Sequence, residues 1–125
     1  MKTIFAAVFL LFSSAVFAQK AEWKEMHNFH GIMSVTFHPS EENNLQPLRD
    51  SVAVLVTKAK AWQSSTVPQG YNAAATAPIL KKLVKQCQEL QRAVAANKPD
   101  EALKKQIAAA HDTFHEIMEK CGSNE

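Results

Sequence analysis

The chain is predicted to be all-α, an antiparallel up-down-up-down four-helix bundle that follows a cleaved signal peptide. Three observations carry this expectation. Apolar side chains recur at steps of three and four residues in four successive stretches. Clusters of Pro, Gly and Asn separate those stretches. No alternating β-rich run, glycine-rich phosphate loop or internal repeat occurs in the 125 residues.

The N-terminus has the make-up of a secretory leader over residues 1–18. Lys2 supplies a positive charge, residues 4–12 an apolar run, and Val16, Phe17 and Ala18 a small-residue cleavage site before Gln19. The run is shorter than the roughly 20 residues a spanning helix needs, and no later segment comes near that length. No Cys follows the cleavage site, so no lipid anchor is expected. The expected product is one bundle domain over residues 19–125, periplasmic or secreted and free of the membrane once the leader is removed. With Lys2 removed, its 13 basic and 12 acidic side chains nearly balance, which gives no electrostatic footprint for nucleic acid. Lys81, Lys82 and Lys85 read as a solvated helix face.

The first helix is expected over residues 21–37, with Trp23, Met26, His27, His30, Met33 and Phe37 on one face. His38-Pro39 should end it, because a residue before proline is disfavoured in the helical region. Asn44 then caps a second helix with Pro47 in its first turn, where a missing N–H costs little. Leu45, Leu48, Val52, Leu55, Ala59 and Trp62 form its buried stripe. Residues 64–75, with Pro68 and Gly70, make the long middle connection. Thr76 caps the third helix, whose Leu80, Leu83, Cys87, Leu90 and Val94 form a seam of alternating three- and four-residue steps. Residues 97–100 are a tight turn. Leu103, Ile107, Ala110, Phe114, Ile117 or Met118, and Cys121 line the fourth helix, which Gly122 ends.

All five histidines of the chain lie near its two ends: His27, His30 and His38 in one stretch, His111 and His115 in the other. Imidazole is the commonest protein ligand for a transition metal, and an up-down bundle sets its first helix beside its fourth. At about 1.5 Å per residue, levels counted from the turns put His30 opposite residue 113, Met33 opposite Ala110 and His27 opposite Glu116. The expected inner cluster is His30, Met33, Cys87 and His111, with Met26, His27 and His115 one turn nearer the open end. His111 and His115, four residues apart, face together. The bland reading of each residue is also available: a lone histidine on an apolar face is usually packed, Met is usually core filler, and His38 before Pro39 is a helix-end residue.

Two cysteines in an exported protein suggest a disulfide. The same levels place Cys121 opposite about residue 76, about 15 Å along the bundle from Cys87, whereas a disulfide tolerates about 7 Å between Cα atoms. Cys87 is therefore expected as a buried thiol or ligand, and Cys121 as an exposed thiol free to pair two molecules into a dimer.

The segment from Ala95 to Cys121, with Asn97-Lys98-Pro99-Asp100-Glu101-Ala102 opening the last helix and His111-Asp112-Thr113-Phe114-His115-Glu116 near its end, resembles the final helix of the periplasmic four-helix b-type cytochromes. That resemblance implies a bundle holding haem b non-covalently, with Met26 and His115 as axial ligands and electron transfer as the function. The Cys-x-x-Cys-His attachment motif of the related c-type bundles does not occur.

Imidazole, thioether and thiol ligands together favour copper or zinc over magnesium or calcium. The leading expectation is thus a non-enzymatic transition-metal-binding bundle with ligands from helices 1, 3 and 4, serving a metal-delivery or redox partner. Bundle-type di-iron enzymes need Glu-x-x-His pairs, and only Asp112-x-x-His115 remotely resembles one. Haem b is the alternative cofactor. A metal-free periplasmic adaptor or chaperone acting through a helical surface is the reading from a different class.

Overall fold

The computed structural model describes residues 22–121, so the leader and the Gly122 stop signal lie outside the described residues. Within them the chain is a four-helix bundle of α1 (Lys24–Glu41), α2 (Gln46–Ser64), α3 (Ala73–Ala95) and α4 (Asp100–Lys120). Among the described residues there is no strand, and no helix is long and apolar enough to cross a membrane. Each helix packs on its neighbour in sequence, and α1 also meets α4, less closely than the sequence neighbours meet one another.

α1 differs most from its expected form. Its buried positions are Met26, Phe29, Met33, Thr36 and Ser40, a strict alternation of three- and four-residue steps. The expected stripe was rotated toward His27 and His30, both of which are exposed. Two polar side chains hid the true stripe, and both are satisfied by their own helix. Thr36 Oγ1 donates to the carbonyls of Ile32 and Met33 at 2.8 and 3.0 Å, and Ser40 Oγ donates to the carbonyl of Phe37. Such back-bonding lets a hydroxyl enter a core without an unpaired donor.

Nor does α1 stop at His38-Pro39. Pro39 lies inside its last turn, where only Val35 loses its hydrogen-bonded partner four residues on, and Val35 sits on the exposed side. The helix closes instead at Asn43, at φ 64°, with Asn43 N–H bonding the carbonyl of Ser40 and Asn44 N–H that of Pro39. This is a Schellman closure with asparagine supplying the left-handed residue. α3 ends in the same way, with Asn97 at φ 53° and bonds from Asn97 to Val94 and from Lys98 to Ala93. The two turns lie side by side and brace each other. Lys104 Nζ donates to Asn43 Oδ1 at 2.9 Å, while Arg49 reaches the Lys98 carbonyl at 2.9 Å and Asp100 at 2.8 Å.

α3 begins at Ala73, before the expected Thr76 cap. Asn72 caps it by accepting the Ala75 N–H at 3.0 Å, and Thr76 is buried with its hydroxyl on the Asn72 carbonyl. Pro78 therefore lies inside the helix, beyond its first turn. Asn44 does contribute at α2, accepting the Gln46 N–H at 3.2 Å, with Pro47 in the first turn. Across the bundle from the paired turns, the connection between α2 and α3 is held by aromatic packing. Trp23 donates to Ser65 Oγ at 2.8 Å and packs edge-on against Trp62 and Tyr71. The Asn72 N–H bonds the carbonyl of Cys121 at 3.0 Å. Cys121 was expected to be exposed, but the contact that seats the end of α4 also carries its side chain into the apolar core. A covalent dimer through this thiol loses its basis.

Candidate metal centre

The structure breaks up the expected inner cluster. Met33 and Cys87 are fully buried in the apolar core, whereas His30 stands outside on α1. Burial pushes the Cys87 thiol up to about 12. That burial favours the protonated thiol, whereas the thiolate is the form that binds metal. His30 departs from expectation because α1 is rotated to bury Phe29 and Met33, which leaves the imidazole on the flank facing α4. Its ring lies flat on Phe114, with centroids 5.1 Å apart and planes at 8°. Its level is nearly the expected one, since residue 113 was to face it. His27 is exposed beside Glu22, at 3.9 Å.

What does assemble is a row of rings along the open seam between α1 and α4. Phe37 of α1 stacks on His111 of α4 with centroids 3.7 Å apart and planes at 13°. His111 and His115, one turn apart on α4, bring their Nε2 atoms to 3.1 Å. Two nitrogen ligands at about 2.0–2.1 Å from one tetrahedral ion lie about 3.3 Å apart, so the pair already has nearly the spacing of a chelate. Without an ion, one Nε2 carries the proton and the other accepts it. Partial burial and the neighbouring His115 lower the His111 pKa, and His38 adds to this, while Asp112 and Glu41 oppose it. The result favours the neutral imidazole, which is the form that coordinates metal.

His38 and Glu41 were not among the expected ligands. His38 follows Phe37, the ring that supports His111, and its Nδ1 lies 3.1 Å from Glu41 Oε1. The only advance signal was the sequence spacing of His38 and Glu41, and the expectation that the helix stopped at Pro39 concealed it. Among the described residues, no group of three or more His, Cys, Asp or Glu side chains is already disposed around one ion position.

The residues fit haem poorly. Met26 is buried, with its sulfur accepting from the Tyr71 hydroxyl at 3.9 Å, while His115 is exposed and turned toward His111. Phe29, Trp62 and Phe114 fill the interior between the helices, with centroids 5.5–5.9 Å apart. A flat macrocycle between Met26 and His115 would have to displace this packing. No family model, no curated protein and no solved structure matches the chain.

Proposed function

We propose that this chain is an exported, non-enzymatic binder of a transition-metal ion, an up-down-up-down bundle that holds copper or zinc on the seam between α1 and α4. The observation that carries the reading is the 3.1 Å Nε2–Nε2 separation of His111 and His115. Nitrogen ligands suit copper and zinc, and hard oxygen-seeking ions do not compete well for them. Met33, Cys87 and Met26 drop out of the ligand set, since all three serve the core. A two-imidazole site at a solvent-facing seam leaves coordination positions open, which suits reversible loading and hand-over to a partner better than catalysis.

Thermal unfolding with and without zinc(II) or copper(II) tests this. A ligand that binds only the folded state at about 100-fold excess over its dissociation constant adds about 2.7 kcal/mol, which raises the melting temperature of a domain this size by several degrees. We expect that rise in the wild type and its loss in His111→Ala and in His115→Ala. If neither ion shifts the wild type, or the variants respond as it does, the histidines are structural and the adaptor reading leads. A Soret band after haem addition, lost in His115→Ala, would bring haem back instead.

A further inference from the structure

We propose that the groove between α2 and α3 binds an amphipathic organic anion, a carboxylate on an apolar tail, at a site separate from the histidine seam. Two adjoining cavities form it. One, of about 260 Å³, lies under the α2–α3 connection and is walled by Trp23, Val67, Thr76, Ala77 and Leu80. The other, of about 500 Å³, runs between Lys60 on α2 and Lys81 and Lys85 on α3. Gln63 and Lys81 line both, so the two meet at that pair.

The inner cavity suits a tail because the polar atoms in its wall are already bonded within the protein. Trp23 Nε1 donates to Ser65 Oγ at 2.8 Å, the Ser65 hydroxyl to the Trp62 carbonyl at 2.6 Å, and the Thr76 hydroxyl to the Asn72 carbonyl at 2.7 Å. A polar occupant would find few partners there, whereas an apolar one gains by leaving water. The outer cavity suits an anion for a complementary reason. Among the described residues, the ammonium groups of Lys60, Lys81 and Lys85 make no ion pair or hydrogen bond, and no Asp or Glu lines either cavity. The same bias runs along the sequence, which between Asp50 and Glu89 holds five lysines and no carboxylate. Lys60 and Ser64 share one face of α2, and Lys81, Lys85 and Gln88 one face of α3, so both walls offer donors to one trough. A cleft lined by charge of one sign concentrates ions of the other. Exposed charge pairs alone add little affinity, so the tail supplies the binding energy and the lysines the orientation.

Octanoate and decanoate, held below their micelle concentrations, are the probes, titrated calorimetrically into the full mature chain, with far-UV circular dichroism checking the fold of each variant. A one-to-one complex is expected, with decanoate binding about ten-fold tighter than octanoate through its added methylenes and acetate giving no measurable heat. Lys81→Glu should weaken decanoate binding by more than ten-fold. Ala77→Phe, which fills the inner cavity from an exposed position on α3, should do the same. Lys82→Glu, beside Lys81 but lining neither cavity, should stay within about three-fold of wild type, and His111→Ala should bind as wild type does. No saturable binding of decanoate overturns the site, as does acetate binding as tightly as decanoate. Equal weakening by Lys81→Glu and Lys82→Glu, or binding to phosphatidylglycerol vesicles without binding to monomeric decanoate, also overturns it and leaves a diffuse basic surface in its place.

Discussion

α1 meets its two neighbours in different ways. Toward α2 it presents Phe29, fully buried, against Trp62, also fully buried. Toward α4 it presents Phe37 and His30, partly buried and exposed, against His111 and Phe114. The first contact excludes water and stabilises by area removed from solvent, at roughly 25 cal/mol per Å². The second keeps polar ring atoms within reach of solvent while flat faces fix their orientation. One helix can therefore anchor a core and display a site, provided that its tightly packed edge carries the stability.

The largest expected effect breaks the tight side. Trp62→Ala removes a ring that touches Trp23, Phe29 and Phe114, and should cost about 3–5 kcal/mol in denaturant unfolding. Trp62→Phe should cost much less, because it also removes an indole N–H that has no hydrogen-bond partner. A smaller effect is expected on the open side. Phe37→Ala should cost about 1–2 kcal/mol, since its ring is only partly buried and a stacked pair adds about 0.5–1.5 kcal/mol. Exposing His111 to water should also move its pKa back toward the ordinary imidazole value, read by NMR titration. If Phe37→Ala proves as costly as Trp62→Ala, the seam is core and the contrast disappears.

The smallest effect concerns pH. The folded-state pKa of His111 is lowered, by burial first and His115 second, with His38 adding to this and Asp112 and Glu41 opposing. Below the unfolded value of about 6.5, the unfolded chain binds this proton more readily than the folded one. The His111 contribution to stability is therefore full above about pH 6.5 and declines as pH falls toward the lower folded value. Denaturation midpoints at about pH 7.5 and about pH 5.5 should differ more in wild type than in His111→Gln. Equal differences would show that His111 is as readily protonated in the fold as in the open chain.

Much of the bundle was legible because apolar residues mark its seams directly. Leu80, Leu83, Cys87 and Leu90 on α3, and Leu103, Ile107 and Ala110 on α4, are buried as their spacing predicts. α1 was misread where polarity and burial part company, since Thr36 and Ser40 enter the core by bonding to their own backbone. Of the site, the His111–His115 pair was visible in its four-residue spacing. The inward position expected for His30 failed through that same rotation of α1, and the pairing of His38 with Glu41 went unseen because a proline was read as a stop. Asn43 and Asn97, which close two helices in left-handed conformation, could not be told from other turn asparagines without the backbone.

The chain's two tryptophans lie in one cluster, with ring centroids 5.7 Å apart. Intrinsic fluorescence is thus a single local gauge, blind to fraying at the paired asparagine turns. Trp62 touches Phe114, which in turn touches His115, so the gauge stands one ring from the histidine row. Copper(II), a paramagnetic quencher, would dim this emission on binding there while zinc(II) left it bright, making the protein its own optical indicator of which ion it holds.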